Sequence, residues 1–501
     1  MSDATSVTSP SDLSSPSETE ALDKRNRLVI RLLLISAFVV ILNETIMGVA
    51  LPHLMEDLGI PASTAQWLTT AFLLTMAVVI PITGFLLQRF HTRSIFITAM
   101  TLFSTGTLIA AVAPGFEVLL VGRVVQAGGT AIMMPLLFTT VMTLVPPATR
   151  GRTMGNISIV ISVAPAIGPT ISGIILSVLD WRWMFILVLP IALGALALGA
   201  ARVQNVTTPR ATRFDILSVI LSVFGFGGLV YGLSTVATGV VPLVIGAVAL
   251  IAFVFRQLSL QKRDAALLDL RTFTSRTFSF AIAMIAISMM TLFGTIILLP
   301  IYMQDVLGLP AITTGLLLLP GGLLMGLLAP TVGRVYDRVG PTALVVTGST
   351  IVSAVLWSIT MLDENTAFGW VLAAHIVLSL GLALLFTPLF TSGLAALPAP
   401  LYSHGSAIVG TVQQLAGAAG IAVFVTVMSA QAATLVAGGA SEVTATADGI
   451  QLAFGIGAVI SLLAIPAALF VRRPAATPGH DGGNSSEERA RMEAGASEAV
   501  A

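Results

Sequence analysis

Two ionisable residues, Glu44 and Arg123, lie inside stretches of the chain that are otherwise almost wholly apolar and long enough to cross a bilayer. A charged side chain near the middle of a membrane span costs about 2.5–3.5 kcal/mol on insertion scales, so such residues usually face a partner, a cavity or a transported solute. The pair therefore indicates either proton or cation chemistry within a membrane, or a fixed ion pair that only holds two helices together.

Counting residues places the two side chains at a similar depth. The apolar run that contains Glu44 ends near Pro52, and the run that contains Arg123 begins near Glu117. At about 1.5 Å of rise per residue, Glu44 lies about 12 Å and Arg123 about 9 Å from the same membrane face. In a low-dielectric cavity, desolvation favours a neutral carboxyl group and a nearby arginine favours the charged form. Opposed terms of this kind would let a carboxyl group and an arginine that share one cavity act together as a proton switch.

The rest of the chain is composed to hold such a pair in a membrane. Of the 501 residues, 56% are hydrophobic and only 10% are charged, and the mean hydropathy is +0.97. About 20 apolar residues cross the hydrocarbon core as a helix, and runs of that length recur along nearly the whole chain. The composition predicts an all-α polytopic membrane protein, because continuous apolar runs are not the alternating pattern of a membrane β-barrel.

The apolar runs predict fourteen transmembrane helices. They lie near residues 28–51, 66–87, 95–113, 117–141, 153–178, 183–201, 214–236, 239–257, 278–299, 313–332, 341–361, 368–392, 405–430 and 449–471. The polar segments 1–27 and 474–501 are predicted to be disordered cytoplasmic tails. In residues 258–277, leucines are interleaved with charges, which predicts either a short surface helix or a simple tether.

Lysine and arginine mark one side of the membrane. In the loops they cluster before the first helix and after every second helix, whereas the opposite side carries only Arg182. By the positive-inside rule, both termini are predicted to be cytoplasmic, and the protein is predicted to span the cytoplasmic membrane many times. The chain has no cysteine, which excludes disulfides and thiolate metal sites.

The sequence also carries an internal duplication. Gln88-Arg89 is echoed by Asp337-Arg338 at an offset of 249 positions, and Gly128, Pro135 and Gly151 are echoed by Gly381, Pro388 and Gly405 at 253 or 254. Chance matches are the alternative, because the chain has 45 glycines and 25 prolines. A near-constant offset predicts two parallel six-helix bundles, at 28–203 and 278–473, with two extra helices and a linker at 204–277 between them.

Five segments together resemble a known family. They are Leu42 to Pro52, Gly84 to Arg93, Arg123 with Gln126 and Gly128, Ala164 to Gly173, and Leu316 to Gly340. In their order and spacing these segments resemble the major facilitator superfamily, and within it the fourteen-helix drug:proton antiporters, over roughly residues 25–473.

The resemblance implies residues that gate the pathway. They are Gly84, Arg89, Pro165, Gly168, Pro169, Gly173, Gly333, Asp337 and Arg338. The prolines and glycines of the fifth helix allow it to bend and to press on a neighbour, and the charged loops after helices 2 and 10 are placed to latch one bundle to the other. The alternatives are ordinary helix packing and charges that only set the topology. Gln88 departs from the family pattern, which has an aspartate there.

The resemblance also implies a central cavity lined by helices 1 and 4 of each bundle. The predicted proton-coupling residues are Glu44 and Arg123, and the predicted cavity residues are Asn43, Glu44, Gln126, Gln413 and Gln414. The family usually has an acid at the position of Asn43. In this chain the acid is one residue later, which turns the carboxylate by about 100° around the helix. The equivalents in the second repeat, near Leu292 and Ile376, are uncharged, which places the ionic chemistry in the first half.

These observations favour a monomeric, proton-coupled exporter of drugs or other amphipathic cations. Two alternatives share much of the pattern: an exporter of one endogenous metabolite, such as an amino acid, a sugar or a lipid precursor, and a membrane sensor that transports nothing. No phosphate-binding loop and no metal-ligand cluster occurs in the sequence, so we predict no enzyme activity, no cofactor, no metal and no nucleic-acid partner. The predicted partners are a small-molecule substrate, protons and the lipid bilayer.

Overall fold

The computed structural model describes residues 16–206, 209, 215–234 and 239–473. Within that part of the chain, fourteen helices are long and apolar enough to cross a membrane, and no residue is in a strand. The predicted all-α, fourteen-helix fold is therefore confirmed. Since fourteen crossings return the chain to the side from which it started, we call the face at which the first helix begins and the last one ends the terminal face.

We number the membrane helices in chain order. They are α1 Pro16–Leu58, α2 Trp67–Arg89, α3 Thr92–Ala111, α4 Phe116–Leu144, α5 Arg150–Val178, α6 Trp183–Arg202, α7 Ile216–Ser234, α8 Val241–Leu260, α9 Arg276–Ile301, α10 Ala311–Val339, α11 Pro341–Ile359, α12 Phe368–Ala395, α13 Tyr402–Ala437 and α14 Glu442–Ala468. Short turns of helix lie at Ala62–Ala65, Pro147–Thr149, Gln261–Arg263, Leu270–Thr274, Tyr302–Val306 and Ala399–Leu401.

Local sequence explains several helix ends. The side chains of Asp215, Ser275 and Ser441 accept hydrogen bonds from backbone N–H groups in the first turns of α7, α9 and α14. Such caps satisfy donors that have no partner within the helix. Gly340 joins α10 to α11 with a φ of 83°, a left-handed conformation that glycine adopts without strain.

Two predictions about the ends of the chain and its linker need correction, and a third falls outside the described residues. The first helix begins at Pro16, so residues 16–27, predicted to be part of a disordered tail, are helical. Residues 1–15 and 474–501 lie outside the described part of the chain. The linker after α8 is neither a surface helix nor a loose tether, because Leu267 and Leu268 are buried between two short 3-10 turns.

The two halves repeat the same packing. In the first half, α1 packs against α4, α5 and α6, α2 against α4, and α3 against α4 and α6. In the second half, α9 packs against α12, α13 and α14, α10 against α12, and α11 against α12 and α14. Each pair in one list has its counterpart in the other, eight helices later in the chain, as expected for a parallel repeat of two six-helix bundles.

The halves meet along two antiparallel helix pairs, which we call the α5/α10 seam and the α2/α13 seam. The extra helices α7 and α8 form a hairpin, and α7 packs against both α2 and α13. The hairpin therefore covers the α2/α13 seam.

Candidate functional site

The position of Arg123 is set by close packing of α3 against α4. A Cβ atom added to Gly106 would overlap the backbone of Gln126, and one added to Gly129 would overlap the backbone of Ala99. Glycines of this kind let membrane helices approach closely, because lipid offers no hydrophobic drive for helix association and packing has to supply it. The glycines bring Arg123 and Gln126 directly against α3.

Arg123 is the largest fully buried side chain of the site, with 1% of its surface exposed. Its Nη1 donates to Oε1 of Gln126 at 2.7 Å, and Nε2 of Gln126 donates to Oγ1 of Thr107 at 2.7 Å. The guanidinium carbon lies 4.1 Å from the ring centroid of Phe72 on α2. Gln126, a predicted cavity residue, is thus bonded directly to Arg123, whereas the sequence did not single out Thr107 and Phe72.

Glu44 lies on α1, in the same half of the molecule, and is only partly buried. It interacts electrostatically with Arg123. The two side chains form no direct ion pair, and the ion pairs of the described residues involve carboxylates elsewhere, such as Asp57, Asp215 and Asp269. The carboxylate is therefore close enough to interact with the guanidinium, and part of the surface of Glu44 stays exposed.

Asn43, the neighbour of Glu44, is placed differently from the prediction of a cavity residue. It is fully buried, at 0% exposure, and neither its Oδ1 nor its Nδ2 has a hydrogen-bond partner in the described part of the chain. Asn43 lies on the packed face of α1, one turn from the buried Val40 and Met47. In this conformation, then, Glu44 offers an accessible polar group and Asn43 does not.

The second half reaches this region through α13. Gln413 and Gln414 are both partly exposed, and Nε2 of Gln414 lies 3.9 Å from the sulfur of Met76 on α2. Met76 belongs to a small apolar cluster with Phe72 that joins α2 to α4. Gln414 thus approaches Arg123 through two side chains of α2, whereas the side chain of Gln413 takes no part in this contact.

The segment predicted to gate the pathway lies in α5, which is helical without interruption through Pro165 and Pro169. A Cβ atom at Gly168 would overlap the hydroxyl of Thr45, so this glycine brings α5 against α1. Two residues earlier, on the opposite side of the helix, the Cβ of Ala166 fills the space beside Gly322 of α10. The segment is therefore packed between the helix that carries Glu44 and the opposite half. Gly173 lies beyond these contacts, and a Cβ atom there would meet no atom within 4 Å.

The α5/α10 seam closes at the terminal face by backbone contact. Cβ atoms added at Gly155 and Gly333 would overlap the backbone of α10 and of Gly151, respectively. Asp337 then joins the two halves directly: its Oδ1 accepts from the N–H of Gly151 at 2.8 Å and its Oδ2 from the N–H of Arg152 at 2.9 Å. A carboxylate at a helix N-terminus satisfies free donors and interacts favourably with the helix dipole.

The α2/α13 seam has the equivalent positions but other contacts. Nε2 of Gln88 donates to the carbonyl of Pro400 at 3.1 Å. The Cα of Gly84 faces His404, which is 4% exposed, and the carbonyl of Leu267. The linker is held in this seam by Gln257 of α8, whose Oε1 accepts from the N–H groups of Leu267 and Leu268 at 2.7 and 3.2 Å.

A cavity of about 690 Å³ opens beside this linker at the terminal face. Its lining combines Gln88 of α2 and His404 of α13 with Asp269 and Arg271 of the linker. Arg271 is ion-paired with both Asp264 and Asp269, and the hydrogen bonds to these carboxylates raise its pKa. The charges in the wall therefore neutralise one another.

Two residues of the charged loops that were predicted to latch the halves together form no ion pair between them. Arg89 and Arg338 are exposed and form no ion pair with any described residue, which fits the alternative that they set the topology. The residues that the sequence reasoning missed, Phe72, Met76 and Gln257, lie on membrane helices where an apolar or amide side chain usually contacts lipid or a neighbouring helix. No group of three potential metal ligands occurs in the described residues.

The chain matches the family model of the Major Facilitator Superfamily over residues 33–421. It is 42% identical to the uncharacterised MFS-type transporter YcnB of Bacillus subtilis, across 89% of this chain and 95% of that protein. It is 41% identical to the lincomycin resistance protein LmrB of Listeria monocytogenes, across 89% of this chain and 96% of that protein.

More distant matches point the same way. The multidrug resistance protein B homolog of Mycobacterium tuberculosis is 28% identical over 85% of this chain and 80% of its own length. Among solved structures, the human organic anion transporter MFSD10 superimposes with a TM-score of 0.62 at 14% identity, across 88% of this chain and 99% of that one. At that identity the likeness concerns the fold alone.

Proposed function

The chain belongs to the major facilitator superfamily of transporters, and from that premise we propose that it exports drugs or other amphipathic cations in exchange for protons. The observation that carries the proposal is the state of Glu44: a partly exposed glutamate inside an apolar helix, in electrostatic interaction with the buried Arg123 but not ion-paired with it. Relatives named for lincomycin and multidrug resistance support a drug as the solute.

The charge arrangement suits an exchange of a proton for a cation. When the carboxylate of Glu44 is ionised, it attracts a cationic solute into the apolar cavity. When it is protonated, that attraction is lost and the net positive charge of Arg123 dominates, which disfavours a bound cation. A single site can therefore hold either the proton or the solute, and this mutual exclusion couples their opposite movements.

Exchange across a membrane also requires that the cavity open to only one side at a time. The two seams can meet this requirement. The described contacts between the halves run along the terminal-face parts of the two seams, where Asp337 caps α5 and Gln88 contacts Pro400. Across α5/α10 they extend as far as Ala166 and Gly322, and across α2/α13 as far as Met76 and Gln414. We assign the terminal face to the cytoplasm, because loop lysines and arginines cluster there. This conformation would then be closed to the cytoplasm.

Both halves of the cycle follow from this assignment. Protonation of Glu44 from the outside releases the solute outward. Parting of the two seams then exposes the site to the cytoplasm, where the proton leaves and a new cation enters. Separation breaks the Asp337 cap, which costs about 1 kcal/mol, a barrier low enough to be crossed in each turnover.

The experiment that tests this proposal uses everted membrane vesicles containing the native chain or Glu44→Gln. A cationic dye should be concentrated by the native chain in the presence of a proton gradient, and an uncoupler should abolish the accumulation. The Glu44→Gln variant should accumulate no dye above vesicles without the protein, whereas Glu117→Gln, an exposed acid at the start of α4, should transport as the native chain does. Uncoupler-resistant accumulation, or full activity of Glu44→Gln, would overturn proton coupling through this residue.

A further inference from the structure

The contact between Arg123 and Phe72 gives a role to a residue that neither the family match nor the charge pattern singles out. The guanidinium carbon lies 4.1 Å from the centroid of the ring, and both side chains are 1% exposed. A cation over an aromatic face is attracted by the ring, and the attraction is stronger when the contact is desolvated. Phe72 is therefore a substantial partner of this buried charge.

Arg123 needs such a partner, because its polar contacts leave part of its charge uncompensated. Nη1 donates to Gln126, but Nε has no hydrogen-bond partner among the described residues. A buried charge without compensation is strongly destabilising, so the guanidinium is drawn towards any available anion. The anion within electrostatic reach is Glu44, and the two form no direct pair in this structure.

We propose that Phe72 is a positioning residue that holds the guanidinium of Arg123 on the α2 side of the site and so keeps Glu44 open for a proton or a cationic solute. The ring supplies attraction that an ion pair with Glu44 would otherwise supply. A closed ion pair would occupy the carboxylate and exclude the solute. This inference rests on the proposed function, in which Glu44 is the exchanging group.

Phe72 also belongs to a row of residues on α2 that leads to the interface between the halves. Phe72 is the first member of a stripe on α2 with a spacing of four residues, whose other members each face a residue of α13 or of the turn before it. Met76 contacts Gln414, Ile80 lies against Gly410, Gly84 against His404, and Gln88 contacts Pro400. Residues four apart are neighbours on a helix surface, so the partner of Arg123 is joined to the α2/α13 seam by a continuous row of side chains that winds slowly around one helix.

Binding of tetraphenylphosphonium to the purified, full-length protein tests the positioning role. Phe72→Leu keeps an apolar side chain but removes the aromatic face, so Arg123 closes onto Glu44 and the affinity falls about tenfold, the equivalent of about 1.4 kcal/mol. Phe72→Trp keeps the aromatic face and binds within about twofold of the native chain. Phe96→Leu, which removes a ring from an equally buried site on α3, controls for the loss of core volume and should leave the affinity unchanged.

Two double variants decide the route of the effect. In the Glu44→Gln and Arg123→Gln backgrounds, adding Phe72→Leu should cause no further loss of affinity. The ion pair between Glu44 and Arg123, which Phe72→Leu allows to form, cannot form when one of its partners is missing. A Phe72→Trp chain as weak as Phe72→Leu, or a Phe72→Leu effect that persists at full size in either background, would overturn the proposal.

A spectroscopic measurement separates this inference from the proposed function. The emission of the tryptophan introduced by Phe72→Trp is obtained as the difference between that variant and the native chain, which has five tryptophans. Adding Arg123→Gln should change that emission, since the cation leaves the ring face; an unchanged spectrum would overturn the contact. If Glu44→Gln binds the probe as the native chain does, the proposed function fails, while the emission test still reports whether Phe72 holds Arg123.

Discussion

The two seams between the halves occupy equivalent positions of the repeat and are closed in different ways. In the α5/α10 seam, the backbones of Gly151 and Gly333 are in contact, and Asp337 caps the N-terminus of α5. In the α2/α13 seam, the equivalents of Gly333 and Asp337 are Gly84 and Gln88, which face a histidine ring and a carbonyl. A duplicated fold has thus kept its geometry while its two contact surfaces have diverged.

The α2/α13 seam has in addition acquired a cover. The linker places the carbonyl of Leu267 beside Gly84. The α7–α8 hairpin packs on the same seam, since α7 contacts both α2 and α13. Backbone contact tolerates no added atom, whereas side chains and a separate linker segment can shift. We infer that the α5/α10 seam is the rigid closure of the terminal face and the α2/α13 seam the adjustable one, and four sets of variants test that difference.

The largest effect is expected from a single added methyl group. Gly333→Ala places a Cβ atom on the carbonyl oxygen of Gly151, and overpacking of this kind costs about 1–3 kcal/mol. The seam cannot close, so dye transport in vesicles should fall at least tenfold. The matched variant Gly84→Ala meets His404 at 3.2 Å and two other atoms at 3.4 Å, which are side-chain or linker atoms able to shift. The Gly84→Ala variant should therefore keep most of its transport activity.

Equal losses of transport in Gly333→Ala and Gly84→Ala would remove the distinction between a rigid and an adjustable seam.

The rigid seam was largely visible in the sequence, and the adjustable one was not. The repeat offset paired Gln88 with Asp337, and the charged loop after α10 pointed to the region where Asp337 bonds to the start of α5. Hydropathy also found all fourteen helices, because a membrane span needs only length and apolar composition. These are properties of short segments, and a single chain displays them directly.

What the sequence could not show is which way an apolar or neutral side chain turns. Lipid and protein interior are alike in polarity, so hydropathy does not distinguish Phe72 facing Arg123 from a phenylalanine facing lipid. Leu267 and Leu268 fit an amphipathic surface helix equally well, until Gln257 is seen to satisfy their N–H groups. Asn43, expected in the cavity beside Glu44, lies instead on the packed face of α1. In each of these cases the surroundings of the residue depend on contacts between different helices, which the periodicity of one helix does not reveal.

Loss of the linker anchor should give the second largest effect. Gln257→Leu leaves the buried N–H groups of Leu267 and Leu268 without an acceptor, at a cost of about 1–3 kcal/mol. The linker should then leave the α2/α13 seam. Because the chain has no cysteine, a single Leu267→Cys reports this movement through its rate of alkylation, which should rise in the Gln257→Leu background.

The neighbouring residue Gln261 supplies the control for the linker test. It is partly exposed, and its Oε1 accepts no hydrogen bond in the described part of the chain. Gln261→Leu should therefore leave the alkylation rate of Leu267→Cys unchanged. An anchor role for Gln257 is excluded if both variants accelerate alkylation equally.

Exchanging the two polar residues of the repeat should move the seams in opposite directions. Asp337→Asn removes the charge from the cap of α5 and should cost about 1 kcal/mol, so the terminal face opens more often. Gln88→Asp loses the donor to the carbonyl of Pro400, but its carboxylate can accept from the free N–H groups at the start of α13 and should thereby hold the other seam more firmly. A cysteine introduced by Ser158→Cys, at a buried position between the halves where the serine contacts Thr387, reports opening by alkylation. We expect faster labelling with Asp337→Asn and slower labelling with Gln88→Asp; a change of the same sign in both would show that a cap does not control closure.

The smallest effect concerns the hairpin that covers the adjustable seam. Asp215 at the start of α7 accepts hydrogen bonds from Arg256 of α8, and these bonds lower the pKa of its carboxyl group to about 2. A carboxyl group with a lowered pKa in the folded state stabilises it above the unfolded pKa of about 4, and the contribution is lost as the pH falls from about 4 towards 2. Both side chains are partly exposed, so Asp215→Asn should cost only about 0.5 kcal/mol and lower the melting temperature by about 1–2 °C at neutral pH. That difference in melting temperature should stay constant from about pH 8 to about pH 5 and shrink below about pH 4.

The control for the hairpin test is Asp305→Asn, at an exposed acid that forms no ion pair in the described part of the chain. This variant should leave the melting temperature unchanged at every pH. A difference for Asp215→Asn that grows on acidification would show that its ion pair with Arg256 does not hold the hairpin together.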